Sequence, residues 1–556
     1  MPTLKFLPLF CLVSAGIAAF PLASSRAQDT PSPAPERRDI CVYGETSAGV
    51  IAAVQAQKMG KSVVLIAVNK HLGGLTSGGL GFTDMGNVQT LGGMSRDYFH
   101  RIWSHYQKEQ AWKFEPKQAF KNIGQGNPAL NDELQIATVF EPHVAEAVFD
   151  ELVAENHIEV VHGRLDLKNG VTKTGGKIQT IRLEDGRVFA AGMYIDATYE
   201  GDLMAKAGVT YAVGREPNAR YKETANGIQT PAAKNQLPEG IDPYAKPGDP
   251  SSGLLPGVNA NAGGAVGAGD TKIQAYCYRM CLTDIPENRV EIQKPAGYRE
   301  EDYELLFRSI EKDPKPKFFK LSMLPNRKTD SNNNTGLSTD FIGMNYAYPD
   351  AGYARREEIA LAHKRWQLGL VWTLQNHPRV PEALRAYYKP WGLPKDEFAD
   401  NGNWSPQLYV REARRMVSDY VVTETRILNP RLPRRSVGMG SYTLDSHHVQ
   451  RVVDAKGFVR NEGDVQKKTP KPYGIDYGAI VPKARECGNL LVPVCLSASH
   501  IAYGSIRMEP VFMTLGQSAA TAAAQALDEN VPVQKVDYAK LKARLEADQQ
   551  ILRLAE

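Results

Sequence analysis

Asp39 to Gly81 reads DICVYGETSAGVIAAVQAQKMGKSVVLIAVNKHLGGLTSGGLG. Ile40, Val42 and Tyr43 form a short apolar run suited to a buried strand, and Gly44 to Gly49 is a turn rich in small residues. The small-residue stretch through Met59 predicts a helix stopped by Gly60, and Val63 to Ile66 a second strand. Strand, glycine turn, helix and strand make the opening unit of a dinucleotide fold, in which a pyrophosphate rests on the helix N-terminus.

The fit to G-x-G-x-x-G is partial. Gly44, Thr46 and Gly49 occupy the three glycine places, and the acid expected about twenty positions on falls at Ala67. The context restores the reading, because the glycine-dense run Gly73 to Gly81 follows. Glycine in such density costs backbone entropy unless close approach or positive φ requires it.

The 556 residues exceed one ordinary core, so two or more domains are expected. With 42% hydrophobic and 23% charged residues the composition is that of a soluble globular chain. Met1 to Ala27 reads as a secretory signal, with Lys5 ahead of an apolar stretch and Ser25 and Ala27 at the −3 and −1 places before Gln28. Removing Lys5 and Arg26 with it lowers the net charge from +4 to +2, which argues against nucleic acid as the main partner. No other run is long and apolar enough to span a membrane, so no stable insertion is expected after cleavage. Cleavage leaves five widely spaced cysteines, Cys41, Cys277, Cys281, Cys487 and Cys495, which suit buried small hydrophobes better than a disulfide framework.

Further along, helices are expected over Gly92 to Tyr106, from Pro142 onward, over Tyr303 to Lys312, Ala354 to Asn376 and Tyr409 to Thr425. Ile158 to Leu167, Ile178 to Leu183, Arg187 to Ala190 and Met193 to Thr198 read as strands. Gly214 to Gly269, rich in Pro, Gly and Asn, reads as a mobile cover, and Asn326 to Asn334 as a polar loop whose amides suit polyol contacts. Asn489 to Leu496 is a strand candidate, followed by a helix through Gly516 to Leu527 whose alanine face could pack on the first nucleotide helix.

Gly44 to Gly81, YIDATYEGDLMAKAGVTYAVGRE at Tyr194 to Glu216, IQAYCYRMCLT at Ile273 to Thr283, GMGSYTLDSHHVQ at Gly438 to Gln450, and Asn489 to Ala520 together resemble the FAD-dependent oxidoreductase family. That family has a flavin fold of the glutathione reductase type and includes exported bacterial members, some labelled xanthan lyase. The resemblance runs from Asp39 to Leu527 in matching order. It departs at Ala67, where relatives usually carry Glu; Asn69 or Lys70 is left to take the ribose contact. It implies an α/β chain with a Rossmann-like FAD-binding domain built from discontinuous segments and an α+β substrate or cap domain. The boundaries read as a signal peptide at 1–27 and a linker at 28–38. FAD-binding segments follow at 39–110, 135–215 and 440–530, with the cap at 216–439 and a helical tail at 531–556.

The cofactor is expected against Gly44, Thr46, Ser47, Ala48 and Gly49, then Gly73, Gly74, Leu75, Thr76, Ser77 and Gly78. Ala197, Thr198, Gly201 and Asp202 add a third wall, and Met508 and Glu509, opening the last helix, bring its partial positive charge to the reduced flavin. Arg507 adds a full charge, with Glu509 as its partner. Oxidising an alcohol also needs a base, and His500, His447 and His448 are the candidates. His447 and His448, being adjacent, would point opposite ways on a strand. Asp445 and Asp330 are candidates for substrate hydroxyls, and His71 for covalent flavin attachment. No zinc or serine-hydrolase motif is present, so no metal is expected.

The expected function is hydride transfer between a hydroxylated small molecule or saccharide and FAD, in the periplasm or outside the cell, with a separate electron acceptor. A polysaccharide lyase or saccharide-binding protein on the same fold is the alternative. A third reading is a reductase of unsaturated acids, with Arg279 or Arg411 as proton donor.

Overall fold

The computed structural model describes residues 34–232, 234–259, 263–314 and 317–554. The signal at Met1 to Ala27 lies outside the described residues. Pro35 to Glu556 forms one compact unit. No helix among the described residues is long and apolar enough to cross a membrane.

The opening unit forms as read. Strand β1 (Glu36–Tyr43) leads through the glycine turn into helix α1 (Ser47–Lys58), and β2 (Val63–Ala67) pairs parallel to β1, Ile40 facing Val63. Ile40 to Tyr43 and Val64 to Ala67 are wholly buried, as parallel strands covered on both faces must be. β1 starts inside the segment read as a linker, because Glu36 and Arg37 already pair with Phe189 and Ala190.

Helices α2 (Gly93–Tyr106) and α3 (Pro142–Glu155) come next, α3 with proline in its first turn. Strand β3 (Glu159–His162) pairs with β2, the meander β4 (Val171–Thr174) and β5 (Lys177–Arg182) follows, and β6 (Val188–Asp196) returns beside β1. The order is β3-β2-β1-β6-β5-β4. β6 runs unbroken where two strands were expected: a Cβ at Gly192 would lie 2.4 Å from Leu527 Cδ2, so glycine there admits the last helix without breaking the strand.

Helix α4 (Tyr353–Asn376) holds its expected bounds. Strand β7 (Leu490–Leu491) pairs parallel with the second half of β6, and Pro493, lacking an N–H, lies beyond its end. Two helices, α5 (His500–Ile506) and α6 (Glu509–Asp528), complete the site, and α6 lies along α1. A Cβ at Gly516 of α6 would sit 2.3 Å from the carbonyl oxygen of Ala48 in α1. Backbone therefore meets backbone where the two helices cross.

Two expectations are corrected. Tyr409 to Thr425 is not a helix; the helical turn there is Glu424–Leu428. Backbone groups a helix would use internally bond elsewhere: Tyr409 N–H to Cys277 O, Met416 N–H to Cys495 O, Val417 N–H to Thr210 O and Val422 N–H to Ser497 O. The polar loop Asn326 to Asn334 is largely a buried strand, Lys328–Asn333, antiparallel to Phe319–Leu324. Lys328, Thr329, Asp330 and Ser331 are fully enclosed, so these residues are not free for a polyol.

Candidate functional site

At the carboxyl edge of β1, β2 and β6 lies a cleft enclosing about 890 Å³, its open mouth included. Tyr43 to Thr46, Val68, Asn69, Arg164, Thr198 to Glu200, Tyr353 and Arg356 contribute to its lining. Open α/β folds bind ligands at this edge. The Thr46 hydroxyl donates to Ala197 O (2.6 Å) and caps α1 by accepting from Gly49 N–H (3.4 Å). Gly44, at φ 109°, passes so close to Ala197 and Thr198 that a Cβ there would lie 2.8 Å from them. The amides of Ser47 and Ala48, both buried, find no acceptor among the described residues. Two enclosed N–H donors at a helix N-terminus beside a cleft fit a pyrophosphate.

Glu509 joins three distant segments. Its carboxylate accepts from Ser47 Oγ (2.6 Å), Thr76 Oγ1 (2.8 Å) and the Tyr199 hydroxyl (2.7 Å), and Tyr199 in turn accepts from Leu75 N–H (2.8 Å). Burial raises the Glu509 pKa, against the three hydroxyl donors. The expected Arg507–Glu509 pair does not form, since residues two apart at a helix start diverge. Met508 is the buried N-cap residue of α6. Gly73 N–H donates to Glu45 O (2.8 Å), fastening the second glycine run to the first. Asp202 lines the cleft as well, its carboxylate held by Arg356 (2.6 and 2.9 Å) and Arg414 (2.7 Å). Gly201, left-handed at φ 68°, opens the short helix that carries it.

Arg507, two residues before Glu509, joins a second, largely buried cluster of polar side chains. Its guanidinium donates to the Tyr409 hydroxyl (2.5 Å) and to Asp445 Oδ2 (2.9 Å). His447 Nδ1 lies 2.7 Å from Asp340 Oδ2 and its Nε2 3.5 Å from Asp445 Oδ2. Arg411, fully enclosed, pairs with Asp340 Oδ1 at 2.9 Å, without hydrogen-bond geometry, and lies 4.5 Å from the Tyr409 ring centre. Buried Gln274 Nε2, Arg411 Nε and Arg507 Nε have no hydrogen-bond partner among the described residues. Burial and the Arg411 charge oppose protonation of His447, but Asp340 and Asp445 outweigh them and raise its pKa above the ordinary imidazole value. Burial also opposes ionisation of Asp340, yet Arg411 and His447 hold its carboxyl far below the usual range. The His447 and Asp445 side chains keep 12% and 15% of their surface exposed, so solvent reaches the cluster on their side.

The other candidates lie apart from open space. His500 is enclosed, its Nδ1 on Glu412 (2.8 Å), its Nε2 3.2 Å from Ser446 Oγ and its amide on Glu216 (2.9 Å). With both ring nitrogens engaged it belongs to a buried network with Arg415, which pairs with Glu216 and Glu412. His447 and His448 lie outside any strand, between Leu444–Ser446 and Gln450–Val453; His448 Nε2 meets Asn235 O (2.8 Å) and burial lowers its pKa to about 4. Asp330 is locked by Arg279 through two 2.6 Å bonds, which removes it from substrate contact and Arg279 from proton donation. His71 lies between Glu146 (2.8 Å) and Asp400 (3.3 Å) rather than at a flavin. Cys41, Cys277, Cys281, Cys487 and Cys495 are free and buried. Glu141, His143 and Glu397 are close enough to hold a metal ion, but the Lys328 ammonium lies 2.9 Å from Glu141 and 2.6 Å from Glu397 and supplies the cation.

Sequence reasoning missed Glu45, Tyr199, Asp340, Tyr409 and Gln274 as site residues. Glu45 and Tyr199 fall between motif positions that were given roles, Gln274 lies in the Ile273 to Thr283 stretch with no role attached, and Asp340 and Tyr409 carry no local mark of theirs.

A family model described as FAD dependent oxidoreductase matches residues 39–545. No curated protein matches the chain. Among solved structures, the chain is similar to an L-proline dehydrogenase from P.horikoshii, at 17% identity and a TM-score of 0.22, over 33% of this chain and 59% of that one. A 3-ketosteroid-delta4-(5alpha)-dehydrogenase from Rhodococcus jostii RHA1 is similar at 15% identity and 0.20, over 33% and 51%. A flavin-containing monooxygenase from Stenotrophomonas maltophilia is similar at 15% and 0.19, over 35% and 45%. The chain thus spans 45% to 59% of the length of these three structures.

Proposed function

Because the chain belongs to the FAD dependent oxidoreductase family, we propose that it oxidises a hydroxylated small molecule or saccharide outside the cytoplasm, passing the electrons on to a separate acceptor. FAD is its cofactor, and when bound it supplies an acceptor for a hydride. The observation that carries the substrate reading is the junction at Arg507 to Glu509, where three residues join a carboxylate bonded to the start of α1 and a cluster holding an imidazole between two carboxylates.

The Ser47 and Ala48 amides, at the helix start that Thr46 caps, would hold the diphosphate, and Glu509 would accept from hydroxyls along the cofactor chain. In the polar cluster, His447 Nε2 takes the substrate hydroxyl proton as the neighbouring C–H bond breaks. Asp340 fixes the imidazole through Nδ1 and stabilises the imidazolium that forms. Arg507 and Arg411 balance the charge of Asp445 and Asp340 and present unpaired Nε–H donors to an oxygen-rich ligand. Export rests on the reading of Met1 to Ala27 as a signal.

Anaerobic mixing of the yellow protein with sugars, polyols and hydroxy acids tests this reading. Bleaching of the flavin band by a hydroxylated compound supports it, and turnover of a polymer without bleaching overturns it. Cell fractionation with and without residues 1–27 tests export.

A further inference from the structure

Dinucleotide folds place an acid at the end of the second strand to accept from the adenosine ribose hydroxyls. Here that position is Ala67, a wholly buried methyl group that accepts nothing. We propose that Glu45, delivered from the glycine turn of the neighbouring strand, is the carboxylate that binds the adenosine ribose of the cofactor.

Glu45 follows Gly44 at the end of β1, and its side chain crosses to the tip of β2. There Oε2 accepts from Val68 N–H (2.7 Å) and Oε1 from Asn69 Nδ2 (2.6 Å). Val68 is the residue after Ala67, so the carboxylate lies at the strand end from which an acid at position 67 would have extended. Glu45, Val68 and Asn69 all line the cleft, with Thr46 and Thr198 beside them. Val68 N–H, Asn69 Nδ2 and the backbone N–H of Glu45 itself leave room among the four acceptor sites of the carboxylate for a further donor, and a ribose hydroxyl is one.

No Lys, Arg or His pairs with Glu45 among the described residues, although it is 4% exposed. Burial accordingly pushes its carboxyl up to about 7. A buried acid without a counter-ion needs further donors, and a ligand in the cleft is their available source. The two residues that remained for this role do other work: Asn69 aims its amide at Glu45, and Lys70 pairs with Asp400 (2.5 Å) on the surface. Asn69 is thus a positioning residue for Glu45.

The proposal rests on FAD occupying this cleft. Its test is a thermodynamic cycle on flavin-stripped protein. FAD, and an FAD analogue lacking both adenosine ribose hydroxyls, are titrated by flavin fluorescence into the native chain and Glu45→Ala. The native chain is expected to prefer FAD by about 10- to 100-fold, as hydrogen bonds to a charged group would give. Glu45→Ala is expected to bind both with equal, weakened affinity. Binding of the analogue reports that the variant retains a folded flavin site, and Glu45→Gln provides a second variant of nearly the same shape. A preference for FAD that persists in both variants, or is missing from the native chain, overturns the proposal alone. A native chain that takes up neither flavin overturns the cofactor placement along with it.

Discussion

Replacing Gly516 with alanine sets two effects of opposite sign against each other. Alanine is a better helix former than glycine by about 1 kcal/mol, so propensity alone predicts a more stable α6. The new methyl carbon, however, would start 2.3 Å from Ala48 O and 2.9 Å from Ala48 C and Cα. All three are backbone atoms of α1, and none is the end of a flexible side chain. Reaching ordinary contact near 3.5 Å requires the helices to part by roughly 1 Å. Overpacking of this kind costs about 1–3 kcal/mol, and the backbone identity of the neighbours places it near the upper end. Stretching the 2.6 Å Ser47–Glu509 bond adds about 1 kcal/mol. The net expectation is a loss of roughly 2–3 kcal/mol. Because Ala48 is the second residue of α1, the shift also misplaces the two amides that await the diphosphate, so FAD should bind about tenfold or more weakly. Urea unfolding of the flavin-stripped protein gives the first quantity and fluorescence titration the second, without confusing ligand stabilisation with packing. A Gly516→Ala chain more stable by about 1 kcal/mol, with native FAD affinity, would refute the argument.

Other perturbations bear on the His447 cluster and its surroundings. His447→Gln should lower kcat by about 10²–10⁴-fold while leaving the bound flavin spectrum in place. Since a base must be neutral and the His447 pKa is raised, native activity should fall as pH drops through a value above 6.5, and this limb should vanish in the variant. Arg279→Met should cost about 3–5 kcal/mol by leaving enclosed Asp330 unpaired, and Arg279→Met with Asp330→Leu should recover much of that on denaturant curves. Glu216, whose pKa is held down to about 2 by Arg415 and the His500 amide against the effect of burial, contributes stability above its unfolded value of 4.5 and loses it as pH falls toward 2. Glu216→Gln should therefore flatten the stability curve between pH 4.5 and 2, with up to about 3 kcal/mol at stake, as read by unfolding at stepped pH.

The nucleotide unit was legible because its signals are local. A buried parallel strand announces itself in Ile40 to Tyr43, a helix start in Thr46, and close helix contact in Gly516. The misreadings arose where local pattern and tertiary pairing conflict. Arg411, Arg414 and Arg415 have helical spacing, yet Asp340, Asp202 and Glu216, all distant in the chain, draw them in three directions away from any common face. Asn326 to Asn334 has a loop's composition, but Lys328 and Asp330 are neutralised from outside the segment and so become buried. His500 drew attention by its place in the C-terminal motif, while His447 is set apart from it by Asp340, 107 positions away, which no local pattern pairs with it. Ala67 is where the sequence departs from the family's motif. The replacement could not be found by searching nearby on the same strand, because Glu45 comes from the strand beside it.

The bond between Ser47 and Glu509 joins residues 462 positions apart, which has a consequence for how the protein is made. The ribosome finishes α1 early and α6 near the end, so for most of synthesis the small-residue face of α1 has no cover. Neither the helix crossing nor the cofactor site exists until the C-terminal segment emerges. Flavin loading is therefore a late, whole-chain event, and a nascent or truncated chain ending before Glu509 has no finished place to put it. In a cell that exports the chain unfolded, the cofactor would have to be captured on the far side; in one that exports it folded, uptake of FAD before departure would mark a completed molecule.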